Sequence, residues 1–455
     1  LKRQSILFEP RVSNTNGILG IQGSVSYANK NLFRGGQQLQ ISFTGGMESQ
    51  PLIVGTDDAG HVQRAWQLNT FEWGPKISLT FPKLILPISK KMQEGVSKRA
   101  YPKTIFDLTI NYQKRSEFKR TLTELGYSVN FQQDKVQRWE VGLVGIDYVR
   151  LEKEGFFQDR LEQLNDPFLL NSYTDHFTTI LNPTYYYSNL NSNRRSNNNL
   201  HNIIASMDVA GKLLTPLVYG GLEAVNFNGV SEDPETGLRQ LFDVPYAEFI
   251  KFDLQYVASW YINKKHKLVF RSMAGMGFAS GNSPSLPYEH AFFAGGSNDI
   301  RAFEARTMAP GSTKTYEDKN STLTQIGDTR FEVNTEWRFE MTSLLEGAVF
   351  VDAGNIWNLK RPEDAADDPS ILKLSSWKEV AVGVGYGIRA DFDFLIVRLD
   401  LAFPLHNPHL PVGERWWLST KDNYDLYFKT DANGNKVDYK FPHQPRLNFG
   451  IGYPF

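Results

Sequence analysis

The sequence predicts an all-β protein, a transmembrane antiparallel β-barrel of about 16 strands with one long loop folded inward. Three observations carry this reading. Segment after segment alternates apolar with polar or small residues. The connections between segments fall into short turns and long polar loops. No apolar run approaches the roughly 18 residues that a membrane helix needs, and the mean hydropathy is −0.39. A barrel escapes that test because only alternate residues of each strand face lipid.

With 455 residues the chain is long for one soluble domain and fits one closed barrel. A net charge of −1 offers no basic surface for nucleic acid, so no nucleic-acid partner is expected. The absence of cysteine excludes a disulfide framework, thiolate metal sites and a cysteine nucleophile. The sequence opens on Leu1, without an initiator Met, a leader or a lipid-attachment Cys, and is read as a portion of a longer processed protein.

Candidate strands lie at residues 5–12, 20–27, 38–43, 76–81, 104–112, 122–131, 139–148, 178–187, 203–209, 249–261 and 268–278. A segment rich in Gly and Pro interrupts the series, and strands resume at 330–339, 348–357, 380–390, 395–403 and 447–455. If the interrupting segment lies on the long-loop rim, the long connections 47–70, 152–177, 212–248, 359–378 and 406–446 share that rim. The turns around Lys264, Met341 and Phe392 are short, as the other rim requires. Connections 83–103 and the Asn-rich 188–202 are long for that rim, so either they are longer excursions or the strand count slips there. Tyr185, Tyr186, Tyr187, Trp260, Tyr261, Trp357, Trp416 and Trp417 lie near strand ends, where aromatic girdles belong.

The interrupting segment, 287–312, carries a Gly295-Gly296-Ser297-Asn298 turn and then Arg301 between Ile300 and Phe303. An arginine on a tight hydrophobic stem reads as anchored. In the next strand Phe331, Val333, Thr335, Trp337 and Phe339 share one face, and Arg330, Glu332, Asn334, Glu336 and Arg338 share the other. So dense a polar face fits a lumen wall with lipid on the far side. The following strand sets Asp352 opposite Val349, Val351 and Ala353, and a carboxylate isolated in an apolar strand needs a partner. Guanidinium forks suit such carboxylates, and Arg338 or Arg330 of the same wall is a local partner for Glu336.

The ends of the chain form the other feature. Pro10 in the first strand cannot donate to a ladder, and Gly450 and Gly452 lower the strand preference of the last, which runs on through Tyr453 to Phe455. The first and last strands are expected to be short and to pair with few hydrogen bonds.

These motifs resemble the BamA/TamA family of outer-membrane assembly barrels, in the bacterial surface antigen superfamily. The segment around Arg301 is similar to the family's inward-folded sixth loop, whose tip carries Arg-Gly-Phe or Arg-Gly-Tyr; here it reads Arg301-Ala302-Phe303. The turn from Asn31-Leu32-Phe33 to Gly36 resembles an early family turn, and the terminal aromatic Phe455 resembles the signal by which such barrels are recognised. The resemblance implies that Arg301 and Phe303 form a loop tip tethered to Glu336 and Asp352 inside the lumen, with the inserted loop spanning about 280–327. The Gly295-Gly296-Ser297-Asn298-x-Ile300-Arg301-Ala302-Phe303 form, followed by Met308 to Ser312, looks closest to the TamA-like (TamL-type) translocation and assembly module. It further implies periplasmic POTRA domains upstream of Leu1 and residence in the outer membrane of a didermic bacterium. Its partners would be outer-membrane lipid, unfolded barrel-protein substrates and a TamB-like or other accessory subunit.

No nucleophile elbow, HExxH helix or phosphate-binding Gly loop occurs, so neither an enzyme nor a cofactor is expected. His406 and His409 are spaced like a metal pair but lie between prolines in an external loop, and no metal is assigned to them. The function implied by the resemblance is insertion of other outer-membrane proteins through a seam between first and last strands. Its rivals are a two-partner-type secretion pore, a channel, and the barrel anchor of another surface system.

Overall fold

A computed structural model describes residues 3–455 apart from 16–17, 57–61, 87–90, 92–99, 116–117, 165–172, 192–198, 213, 218–228, 235, 314–324, 360–366, 393–394, 420–428, 431–435 and 438–442. The wall is one antiparallel sheet of 16 strands in chain order, each bonded to its neighbours in sequence. The strands are β1 (Gln4–Thr15), β2 (Ile18–Asn29), β3 (Gln38–Thr56), β4 (Val62–Phe81), β5 (Lys103–Lys114), β6 (Phe118–Gln132), β7 (Gln137–Lys153) and β8 (His176–Ser188). They continue with β9 (Leu200–Ala210), β10 (Phe249–Tyr261), β11 (His266–Ala279), β12 (Thr329–Glu340), β13 (Leu345–Trp357), β14 (Ala381–Asp391), β15 (Ile396–His406) and β16 (Arg446–Ile451). Among the described residues no helix is long and apolar enough to cross a membrane.

Alternation decides which side of the wall each residue faces. On β12, Phe331 and Trp337 are each 44% exposed, whereas Glu332, Asn334 and Glu336 are 0% exposed. A soluble core would reverse this order; here the apolar face is the outer one and the charged face is enclosed. The same inversion holds on β13, where Val349 and Val351 are exposed and Asp352 is buried.

Local chemistry closes the short rim. Asp134 Oδ1 accepts from the N–H groups of Val136 and Gln137 at 2.8 Å each, and Asn263 Oδ1 does the same for Lys265 (2.8 Å) and His266 (2.9 Å). Thr342 Oγ1 takes the N–H of Leu345 at 3.0 Å. Such side-chain turns let strands reverse in few residues. On the opposite rim the loops build a lid. Helix α1 (Gly155–Leu164) turns Phe157 and Leu161, one helical turn apart, onto Phe118, Tyr173, Phe249 and Leu286.

Several expectations are corrected. The connection at 47–70 is mostly strand: β3 and β4 run 19 and 20 residues and pair up to Thr56 and from Val62. The sequence there does not alternate cleanly, but the backbone ladder continues without it. The first strand is not short: β1 has 12 residues and pairs with β2 throughout, Pro10 lying opposite Gly23. Connections 83–103 and 188–202 are longer excursions on the short-turn rim, so the strand count does not slip; parts of both lie outside the described residues. Trp357 belongs to no lipid girdle: it is 3% exposed, and its Nε1 donates to Glu379 Oε2 at 2.9 Å.

The histidines of the last long loop have structural roles. A backbone carbonyl lies against each Nδ1: Val380 O at 2.7 Å from His406 and Thr313 O at 3.0 Å from His409. Among the described residues no group of three or more His, Cys, Asp and Glu is arranged to hold a metal. Burial, with Arg415 adding to it, pushes the His409 imidazole down to about 4 against the bond to Thr313. The folded state therefore binds fewer protons here than the unfolded chain, whose histidine titrates near about 6.5. The stability contributed by packing His409 should be intact above that pH and fall away as pH drops toward about 4. Urea midpoints between pH 7 and pH 4 should therefore fall less in His409→Gln than in the parent protein.

Candidate functional site

The segment joining β11 to β12 folds back against the inner face of β11–β16. Its arms form a narrow hairpin: Arg306 N donates to Ala294 O at 3.1 Å and Gly296 N to Phe303 O at 2.9 Å. Gly295 (φ +88°) and Gly296 (φ +113°) adopt backbone angles that residues with a Cβ avoid, and a Cβ on Gly295 would lie 2.5 Å from Glu304 O. An antiparallel bridge between Phe292 and Gly327 ties the stem together. At the tip, Ile300, Ala302 and Phe303 join Phe350, Ile356, Ala381 and Ala402 in one buried apolar cluster.

Arg301 is completely buried at the end of this hairpin. Its Nε and Nη2 donate to the two oxygens of Asp352, at 2.8 and 2.9 Å, and its backbone N–H donates to Asp352 Oδ2 at 3.2 Å. Nη1 donates to Glu336 Oε2 at 2.6 Å and lies 3.5 Å from Asp400 Oδ2. The guanidinium stacks on Phe350, Cζ 3.3 Å from the ring centroid. Glu336 also accepts from Arg338 Nε (2.6 Å) and Arg389 Nη2 (3.1 Å), so the loop arginine and the arginines of the wall share one carboxylate. Asp352 also accepts from Asn334 Nδ2 at 2.9 Å. Every oxygen of Asp352 and Glu336 thus accepts at least one hydrogen bond, as burial of a carboxylate demands.

Sequence reasoning singled out only part of this network. Arg389 Nη1 lies 2.7 Å from Asp400 Oδ1. The turn itself is gripped at Asn298, whose carbonyl accepts from Arg271 Nη2 (2.7 Å) and whose Oδ1 accepts from Arg398 Nη2 (2.8 Å). Asn448 on β16 donates to the carbonyl of Arg301 at 2.9 Å. Ser297 is buried beside these residues. Every strand from β11 to β16 therefore touches the tip or the pairs that hold it.

The room for the tip comes from missing side chains. On β14 the enclosed face reads Ala381, Gly383, Gly385, Gly387, Arg389. A Cβ on Gly383 would lie 2.5 Å from the Ala302 methyl, and one on Gly387 would lie 1.9 Å from Asp400 Oδ1. Gly450 likewise clears Arg398, whose Nη2 would lie 2.4 Å from an added Cβ. Ala302 fits where a smaller residue is expected because Gly383 faces it. The alternating glycines at 383, 385 and 387 were the available sequence signal for this face.

At the ends of the sheet, β16 bonds to β15 over six residues, Arg446 to Ile451. The expected last strand, 447–455, stops early because Gly452 (φ +82°) turns the chain out of the ladder, and Tyr453 and Phe455 lie against lumen cations. Among the described residues no ladder joins β1 to β16, although the two strands approach each other.

Two outcomes follow. Arg301→Ala strands Asp352 as a buried carboxylate without its main cation and should cost roughly 3–5 kcal/mol in urea unfolding; adding Asp352→Asn should recover part of that loss. Gly383→Ala should destabilise by about 1–3 kcal/mol through overpacking against Ala302. Ala302→Gly in the same chain should relieve most of it, giving a coupling energy of about 1 kcal/mol or more in a double-mutant cycle.

The model of the Omp85 superfamily domain matches residues 31–455. The outer membrane protein assembly factor BamA of Neisseria meningitidis serogroup B (strain ATCC BAA-335 / MC58) is 22% identical over 136 residues, 28% of this chain and 17% of that protein. The crystal structure of Haemophilus ducreyi BamA lacking POTRA domains 1-3 superposes with a TM-score of 0.57 at 14% identity, covering 99% of this chain and 71% of that one. CdiB of Acinetobacter baumannii gives a TM-score of 0.44 at 11% identity, covering 90% and 57% of the two chains. The family match spans almost the whole wall and the loop inside it, and the chain belongs to the Omp85 superfamily.

Proposed function

We propose that this chain is the membrane barrel of an outer-membrane protein assembly factor of the TamA-like branch, which inserts other barrel proteins through the seam between β1 and β16. The observation that carries the reading is the unequal seam. Among the described residues β1 offers a twelve-residue edge bonded on one side only, while β16 supplies six residues of ladder to β15 and then turns away. Unpaired backbone groups at membrane depth cost several kcal/mol each, so a free edge there calls for a strand that will pair with it. Pairing by β-augmentation uses backbone bonds and asks little of the incoming sequence, which suits a factor with many clients. The assembly factor BamA among its relatives supports the same reading.

On this reading Arg301, seated on Asp352 and Glu336, tethers the loop so that β11–β16 move as one rigid wall while β1 remains free to part from it. The chain resides in the outer membrane of a didermic bacterium, POTRA domains precede Leu1, and its partners are unfolded barrel proteins, outer-membrane lipid and a TamB-like subunit. The chain has no native cysteine, so a disulfide between β1 and β16 can be engineered without interference. The oxidised protein should remain folded but lose insertion of a model barrel into liposomes, and reduction should restore it. Full activity of the cross-linked protein would exclude the seam as the working route and favour a secretion pore.

A further inference from the structure

Tyr453 and Phe455 lie on the wrong side of the wall for the strand they end. On β16, Leu447, Phe449 and Ile451 are 67%, 42% and 45% exposed on the lipid face. Because side chains alternate strictly along a strand, continuing the ladder through residues 452–455 would place Tyr453 and Phe455 on that same lipid face. Instead the chain turns inward at Gly452, where φ is +82°. A Cβ at Gly452 would meet nothing within 4 Å, so this glycine serves the backbone turn and not the packing.

Inside, both rings rest on cations. Arg338 lies 4.2 Å from the Tyr453 ring centroid and 5.6 Å from that of Phe455, and Lys267 lies 4.8 Å from Tyr453. Arg271 lies 4.9 Å from the Phe455 centroid, and Arg301 follows at 6.0 Å. Arg338 Nη2 also donates to the carbonyl of Phe455 at 3.4 Å. Ammonium and guanidinium groups this close to ring faces attract them, more strongly where water is excluded. These cations serve other partners too. Lys267 pairs with Glu346 at 3.0 Å, Arg271 holds the loop turn at Asn298, and Arg338 shares Glu336 with Arg301.

We propose that Lys267, Arg271 and Arg338 form a binding site for the aromatic end of a β-strand, filled here by Tyr453 and Phe455 of the chain's own last strand, and coupled through Glu336 to the seating of Arg301. The end of β16 is then a two-state element. In one state the aromatics occupy the cation site and the ladder stops at Ile451; in the other, β16 lengthens and they return to lipid. Whatever unseats Arg301 redirects Glu336 toward Arg338 and alters the site that the rings occupy. The inference stands on these contacts and does not depend on the insertion reading.

The test places 4-fluorophenylalanine at position 455 and follows its fluorine resonance in bilayer nanodiscs, with and without doxyl-labelled lipid. The parent protein should give one resonance that the labelled lipid leaves sharp. Lys267→Gln with Arg338→Gln should raise by tenfold or more a second resonance that the labelled lipid broadens. Gly452→Ala, which leaves the cations in place but strains the turn, should do the same and covers the event that the double variant fails to fold. Arg301→Lys should shift the populations in the same direction if the site and the loop tip are coupled. A parent resonance already broadened by the labelled lipid would overturn the site. So would variants that fold but leave the populations unchanged. A response to the cage variants without one to Arg301→Lys would overturn the coupling. The readout is the position of one ring, so a negative result here leaves the disulfide result for the seam untouched.

Discussion

Placing a full positive charge in the middle of a protein wall is unfavourable unless partners replace the water it loses. Arg301 has such partners on three strands: Asp352 supplies a two-point match to its fork, Glu336 and Asp400 supply further charge, and Phe350 covers its face. The geometry is directional, since a guanidinium presents its donors in a fixed plane. A hydrophobic loop tip could slide along the wall; this one has a single register. The position of the hairpin, and with it the enclosed surface of β11–β16, follows from that seat.

Such a seat requires space as well as charge. The enclosed face of β14 is nearly bare at Gly383, Gly385 and Gly387, and the bulk that would ordinarily fill it arrives from the loop as Ala302 and from the neighbouring wall as Phe350 and Asp400. The loop and the wall are therefore one packed unit built from distant parts of the chain. Glycine weakens a strand, and the strand accepts that cost where the neighbouring β13 and β15 and the loop tip hold it from every side.

The seam contrasts with this region. Between β11 and β16 every strand has two neighbours or a hold on the loop, and β16 is fixed to it through Asn448. At β1 there is a ladder on one side and, among the described residues, none on the other. Among the described residues the sheet is cross-tied where it grips the loop and carries no ladder where its ends meet, and the proposed two-state end of β16 lies at that boundary.

Much of this was legible in the sequence because its causes are local. Alternation is a property of adjacent residues, so it revealed the sixteen strands, the lipid face of Phe331 and Trp337 and the enclosed face of Glu332, Glu336 and Asp352. Where alternation lapses, as toward the far ends of β3 and β4, the strand ends were misjudged. The tertiary structure alone decided which further groups join Arg301, Glu336 and Asp352. Asp400 is 99 residues from Arg301 and Asn448 is 147 residues away, and nothing in a local pattern distinguishes their partners from the other arginines of the wall. It also decided that Gly383 faces Ala302 and that Tyr453 and Phe455 turn inward, because each depends on what the curved wall brings opposite. Sequence determined the faces, since side-chain parity travels with the backbone; the fold determined the partners, since only the packing of the loop against the sheet sets their distances.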